Sequence, residues 1–311
     1  MDTIYDVIIL GSGPAGLSAG IYAGRARLST LILEKSQVGG QISITAEVEN
    51  YPGGLPGDSG ASLVERMRAQ AEHFGARIVQ AAATELRLEG GVKTVACGDR
   101  EYRGRTVVVA TGANPRPVGC PGERELTGKG VSYCATCDGA FFEGMDIYVV
   151  GGGDSAVEEA LYLTKFGRRV TVIHRRDALR AAKSIQEKAF ANPKMAFLWD
   201  SVVTGFEGDG ILTAMTVKNV KTGETRRIEA DEEDGTFGVF VFIGLVPNSA
   251  LCTAGFTLEN GYIVTDQNMQ TGIPGVYAAG DIRAKSLRQV ATAVSDGAIA
   301  AVQAGRYLEG L

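Results

Sequence analysis

The sequence predicts an α/β protein made of two dinucleotide-binding domains, the second inserted into the first. Three observations predict it. The glycine signature Gly11-Ser12-Gly13-Pro14-Ala15-Gly16 follows a short apolar run near the start, and a second, Gly151-Gly152-Gly153-Asp154-Ser155-Ala156, follows another such run in the same register. In addition, 42 of the 311 residues are glycine, which suits tight strand-to-helix turns and close approach of backbone to ligands.

The first unit begins with Val7-Ile8-Ile9-Leu10, a run of the kind a strand buried on both faces shows. An Ala- and Gly-rich helix is expected after the glycines. Thr30-Leu31-Ile32-Leu33 is the second strand, with Glu34 at its end, where an acid holds a ribose hydroxyl. Strand, glycines, helix, strand and terminal acid in register specify binding of an adenosine diphosphate moiety far better than a lone glycine motif. Next, Gly39-Gly40-Gln41 and Glu47-Val48-Glu49-Asn50-Tyr51-Pro52-Gly53-Gly54 form a polar loop too long for a mere connection and are expected to touch a ligand. Ser62 to Phe74 has helical spacing, with Leu63, Met67 and Ala71 one turn apart, and Thr106 to Thr111-Gly112 is a strand ending the segment. Pro115, Pro117 and Pro121 mark a linker.

Val131 to Phe142 carries Cys134-Ala135-Thr136-Cys137-Asp138-Gly139. Two cysteines at this spacing close into a small disulfide or open to two thiols, and a helix N-terminus lowers a thiolate's pKa. A zinc half-site is the alternative, but zinc needs four ligands, no second Cys-x-x-Cys exists, and His73 and His174 are the only histidines. No metal is expected. Cys97, Cys120 and Cys252 read as small free hydrophobes. Asp138, directly behind the pair, is either a proton donor or a turn-capping acid.

The second signature begins at Gly151, 151 − 137 = 14 positions after Cys137. Gly11, Gly13 and Gly16 map onto Gly151, Gly153 and Ala156, and Ala in the third place still permits close helix packing. The strand Val170-Thr171-Val172-Ile173 ends at His174, with 174 − 151 = 34 − 11 = 23. The position of the ribose acid is thus His174, followed by Arg175, Arg176 and Arg180. Guanidinium groups bind a 2′-phosphate that an acid would repel, so this site is expected to prefer NADP to NAD; a solvated basic face is the alternative. Asp200 to Phe242 reads as β-rich, and a second linker lies near Pro247. Gly275 to Ala279 is a strand leading to Gly280-Asp281, and Arg288-Gln289-Val290-Ala291 opens an Ala-rich helix. A strand-end acid beside a helix N-terminus is a dinucleotide-site arrangement, so the tail is expected to complete the first domain.

Two dinucleotide sites and one dithiol need an intermediary that accepts hydride from a nicotinamide and passes electrons to a disulfide; a flavin does both, so the first site is expected to hold FAD. Net charge is −5, from 31 basic and 36 acidic residues, and offers no field for nucleic acid. No membrane-spanning run and no signal peptide are seen, which predicts a cytoplasmic protein.

These motifs, in this order over nearly the whole chain and with Ala110-Thr111-Gly112 among them, resemble the bacterial-type, low-molecular-weight thioredoxin reductases. The resemblance implies an FAD domain at residues 1–114 and 247–311, an NADPH domain at 115–246, a homodimer, and thioredoxin as the disulfide substrate. It also implies Cys137 nearest the flavin, Cys134 attacking the partner's disulfide, Asp138 protonating the leaving thiolate, and Phe141 and Phe142 gripping thioredoxin, for which core packing is the alternative. Reduction of another protein disulfide, or redox sensing without turnover, are the rival functions. Because the dithiol and the NADPH signature share one inserted domain, that domain is expected to rotate between two states.

Overall fold

The structure, a computed structural model, describes residues 3–45, 48 and 50–310, without the side chains of residues 44, 136 and 137. Glu47 and Glu49 of the expected ligand loop, and the side chain of Cys137, lie outside the described residues.

Strand β1 (Ile4–Leu10) runs parallel to β2 (Thr30–Glu34). Its residues from Val7 to Leu10 are at most 2% exposed, and each such side chain contributes roughly 1.5–3 kcal/mol by leaving water. Between the strands lies α1 (Pro14–Arg25), which starts on proline, where the missing N–H costs nothing. Helix α2 (Gly60–His73) opens with a reciprocal Ser59–Ser62 cap and buries Leu63, Met67 and Ala71. Strands β3 (Arg77–Gln80), β4 (Glu85–Arg87), β5 (Lys93–Cys97) and β6 (Arg100–Val109) complete the first segment. The short β7 (Ala113–Pro115) lies where the chain leaves it.

The inserted segment holds α3 (Glu123–Leu126), β8 (Val131–Ser132), α4 (Ala135–Asp138), β9 (Asp146–Gly151), α5 (Asp154–Leu163), β10 (Arg169–Ile173), α6 (Lys183–Ala191) and β11 (Met195–Leu198). An antiparallel sheet of β12 (Ser201–Glu207), β13 (Ala214–Asn219) and β14 (Thr225–Glu229) follows, then β15 (Gly238–Phe242). The chain returns through β16 (Leu245–Pro247) to β17 (Leu258–Glu259), β18 (Tyr262–Ile263), β19 (Val276–Ala278) and the long α7 (Val290–Glu309).

The chain divides into two compact units, Met1–Asn114 with Val246–Leu311, and Pro115–Leu245. In the first, the sheet order is β3-β2-β1-β6-β5-β4, with β19 also on β6. Val7, Ile9, Ile32 and Val108 face a core shared with α1, α2 and α7, while Ile8, Leu10, Leu31 and Val107 face a second core on the opposite side. Burial on both faces explains the unbroken apolar runs. The second unit has the parallel order β11-β10-β9-β15-β8. One face packs on α5, and the other on Val203, Phe206, Met215 and Val217 of the antiparallel sheet. Among the described residues no helix is long and apolar enough to cross a membrane.

Candidate functional site

Cys134 is disulfide-bonded, while Cys97, Cys120 and Cys252 are free. Cys134 stands at the end of β8, where its N–H donates to Ser132 Oγ at 3.0 Å and its carbonyl accepts from Asp138 N at 3.2 Å, closing α4 behind it. Ser132 is buried and was not singled out from sequence, because a serine two residues before a cysteine carries no distinctive pattern. Asp138 is half-buried, and its side chain does not cap the 3-10 turn Gly139–Phe142 that follows. A Cβ on Gly139 would come within 2.9 Å of Leu163 Cδ2; glycine there lets the dithiol segment lie against α5, the helix of the second glycine turn. The two aromatics part company: Phe141 is 75% exposed, whereas Phe142 is buried edge-on against Phe240 at 5.8 Å. Core packing thus explains Phe142 but not Phe141.

The other thiols are unsuited to nucleophilic chemistry. Burial and the nearby Glu123 carboxylate push Cys120 up to about 11, and burial alone pushes Cys252 up to about 11. Among the described residues no group of His, Cys, Asp and Glu is placed to hold a metal ion.

In the same unit, Gly151 takes a left-handed φ of 155°, and a Cβ there would lie 2.4 Å from Phe242 O. Gly153 precedes α5 without a side-chain cap, and Asp154, Ser155 and Ala156 form its first turn, so no N-cap side chain occupies its leading N–H groups, the arrangement in which a helix start takes an anion. The loop after β10 is fastened to this turn twice: Arg180 N donates to Gly152 O and Ala182 N to Asp154 Oδ1, each at 2.7 Å. Arg175, Arg176 and Arg180 are exposed on that loop, and among the described residues no carboxylate pairs with them. The neighbouring Asp177 is instead taken by Lys221, which also holds Asp200, both at 3.0 Å. His174 is buried, with its Nε2 unpartnered. Burial, then the charges of Arg180 and Arg175, hold its pKa below the ordinary value, so it enters this site as a neutral ring.

In the first unit Gly11 has φ 101°, and a Cβ on Gly16 would lie 1.9 Å from Gly11 O. Gly13 precedes α1 uncapped, with Pro14, Ala15 and Gly16 in the first turn. Glu34 is buried, and its Oε2 accepts from both Ser12 N and Ser12 Oγ at 2.8 Å, so the strand-end acid braces the glycine turn itself. Gly39 N donates to Ser12 O, and Gly40 packs against Gly13. Gln41 Nε2 reaches Asn114 Oδ1 at 3.5 Å, and Asn50 Nδ2 donates to Gln289 Oε1 at 3.1 Å. Thr111 and Gly112 are tied to Asn248, whose N–H donates to Gly112 O and whose carbonyl accepts from Thr111 Oγ1, both at 2.9 Å. They join the two segments of this unit.

Asp281 sits in the turn after β19 with its Oδ1 buried and without a hydrogen-bond partner. Arg288 Nε donates to Asp281 O at 3.4 Å while its guanidinium lies 3.9 Å from the Tyr262 ring centroid. Gln289 leads into α7, whose first turn holds Val290 and Ala291. Uncapped helix N-termini, glycine turns with no room for a Cβ at Gly11, Gly16, Gly151 and Gly152, a buried orphan acceptor in one unit and, among the described residues, unpaired guanidinium groups in the other fit one dinucleotide per unit.

The profile of the pyridine nucleotide-disulphide oxidoreductase family matches residues 5–297. A thioredoxin reductase of Peptoclostridium acidaminophilum is 57% identical over 310 residues, 99% of this chain and 98% of that protein. One from Peptoclostridium litorale is 57% identical over 312 residues, 100% of this chain and 99% of its own length. The crystal structure of Lactococcus lactis thioredoxin reductase superposes with a TM-score of 0.93 at 45% identity, covering 99% of this chain and 100% of that one. With the family model matching most of its length and these relatives matching it from end to end, the chain belongs to the thioredoxin reductases of the pyridine nucleotide-disulphide oxidoreductase family.

Proposed function

We propose that the chain reduces the disulfide of thioredoxin with electrons from NADPH, through FAD and a Cys134–Cys137 disulfide. As a member of its family it uses FAD and NADPH. The unit of Met1–Asn114 and Val246–Leu311 takes FAD, and the inserted unit takes NADPH. The observation that carries the reading is the disulfide at Cys134, set one helix away from a glycine turn whose fastened loop presents three unpaired arginines.

Bound FAD supplies acceptance of a hydride from NADPH and delivery of its two electrons to a disulfide. The chain's own residues do the rest. Reduction opens the Cys134–Cys137 bond to two thiols. The Cys134 thiolate attacks one sulfur of thioredoxin's disulfide, and the departing thioredoxin thiolate takes a proton from Asp138. Cys137 then attacks Cys134 in the mixed disulfide, restoring the Cys134–Cys137 bond, and the proton it gives up passes to the second departing sulfur, so that thioredoxin leaves as the dithiol. Arg175, Arg176 and Arg180 hold the 2′-phosphate of NADPH, and the uncapped start of α5 holds its pyrophosphate. Phe141, exposed beside the dithiol, is the anchor for thioredoxin. Because Cys134 and the second glycine turn belong to one unit joined to the other by two crossings, that unit presents disulfide and NADPH in turn. We read the enzyme as a cytoplasmic homodimer, with the exposed Tyr22 and Val302 of α1 and α7 available for a second copy to cover.

The test is steady NADPH oxidation by the yellow holoenzyme with thioredoxin and a colourimetric disulfide. Oxidation that needs thioredoxin supports the reading. Turnover with the colourimetric disulfide alone, or none with any thioredoxin, points to another protein disulfide or to a sensor.

A further inference from the structure

Behind Asp281 lies a group of charges that the family's chemistry does not by itself require. Asp296, on α7, is 7% exposed. Its Oδ2 accepts from Gly280 N and from Lys285 Nζ, each at 3.0 Å, and its Oδ1 pairs with Arg283 Nη1 at 2.7 Å. The guanidinium of Arg283 is further committed through Nε to Thr265 Oγ1 at 2.7 Å. Lys285 is placed differently. Its Nζ also reaches Thr292 Oγ1, in the first turn of α7, at 3.3 Å, and lies 3.7 Å from Asp281 Oδ1. That last separation is too long for a hydrogen bond and short enough for a strong attraction where the surroundings are dry.

A carboxylate oxygen buried without a donor is costly unless a charge or a ligand compensates it. Burial acts to raise the pKa of Asp281, and Lys285, then Arg288, act against it. Among the described residues Lys285 is the one cation whose side chain forms an ion pair with Asp281. It is itself held by two residues of α7, Thr292 and Asp296. The acceptor is therefore oriented from behind, with its lone pairs left for an incoming donor.

We propose that Lys285 is a positioning residue of the flavin site: anchored by Asp296 and Thr292, its ammonium fixes the Asp281 carboxylate so that the buried Oδ1 accepts a hydroxyl hydrogen of FAD. The inference rests on the reading of Asp281 as a contact of FAD, and the experiment separates the two. Holoenzyme variants K285M, K285Q, K285R and D281N are diluted, and released FAD is followed by its fluorescence; melting temperatures are taken in excess FAD. K285Q keeps a donor for Asp296 and Thr292 without the charge, so it remains informative should K285M fold poorly.

The expected result is a dissociation constant for FAD raised roughly ten- to a hundredfold by D281N, and by K285M and K285Q in the same direction, as for loss of a hydrogen bond to a charged group. K285R recovers most of the affinity. The double variant D281N/K285M binds no worse than D281N alone, because the lysine acts through the aspartate. FAD release unchanged in K285M and K285Q, with D281N weakened, overturns the role of Lys285. FAD release unchanged in D281N overturns the reading of Asp281 and the proposal with it. Affinity lost equally in K285R and K285Q, or lost only together with the melting temperature in excess FAD, makes Lys285 a structural support and likewise overturns it.

Discussion

The imidazole of His174 lies directly against Gly152: a Cβ built on the glycine would come within 2.3 Å of His174 Nδ1. The strand-end histidine is thus the floor of the second glycine turn. Gly152→Ala forces a shift of the ring or of the turn, an overpacking that costs about 1–3 kcal/mol. We expect NADPH binding to weaken by about tenfold or more while FAD content stays at one per chain, as read by NADPH titration and visible absorbance. Unchanged NADPH affinity would separate this turn from the nucleotide.

Arg175 and Arg176 are exposed, and among the described residues no carboxylate pairs with them, while Lys221 engages the neighbouring Asp177. Replacing both with Ala should weaken NADPH roughly ten- to a hundredfold per lost charge-assisted contact and leave NADH little affected. The comparison of the two dissociation constants is the check. An equal loss for both cofactors means that the arginines only support the fold.

How much of this was legible in the sequence depended on whether the signal was local. The run from Val7 through Gly16 declares strand, turn and helix because each residue's environment is set within a few positions. The same holds from Ile147 through Ala156. What sequence could not show were contacts made by folding distant segments together. Asn50 meets Gln289 across 239 positions, and Asp296 reaches back to Gly280 and Arg283 from a helix that reads simply as Ala-rich. Glu34 was legible by position, but not its grip on Ser12, since only the turn's actual path brings that hydroxyl to the carboxylate. Phe141 and Phe142 are identical in type, and only the tight 3-10 turn decides which one faces Phe240.

That division between the phenylalanines gives separable outcomes. Phe142→Ala empties a packed position and should cost about 3–5 kcal/mol of stability. Phe141→Ala removes an exposed ring, so the melting temperature should hold while the KM for thioredoxin rises by about tenfold, as for a binding anchor. The rate of flavin reduction by NADPH should not change in Phe141→Ala. A KM equal to that of the parent would remove Phe141 from the thioredoxin-binding surface.

Lys93 offers a test of the first unit's core that does not involve catalysis. It points from β5 into the interior at 0% exposure, donates to Gly90 O at 2.9 Å, and lies 5.6 Å from the centroid of the Tyr307 ring. Among the described residues no carboxylate pairs with it. Burial lowers its pKa below the ordinary 10.5, because the ammonium loses hydration that one carbonyl and a ring face only partly replace. The folded chain therefore releases this proton at a lower pH than the unfolded chain does. Between those two values the unfolded state binds more protons, so the lysine's contribution to stability rises with pH, and it levels off above 10.5. Below the folded value both states are protonated, and the contribution is constant and unfavourable. Lys93→Met removes the titration while keeping most of the volume. The difference in unfolding free energy, parent minus variant, should climb as pH is raised from 7 toward 10.5 in denaturant titrations. A difference that stays flat over that range would mean that the buried ammonium is as well solvated inside as out.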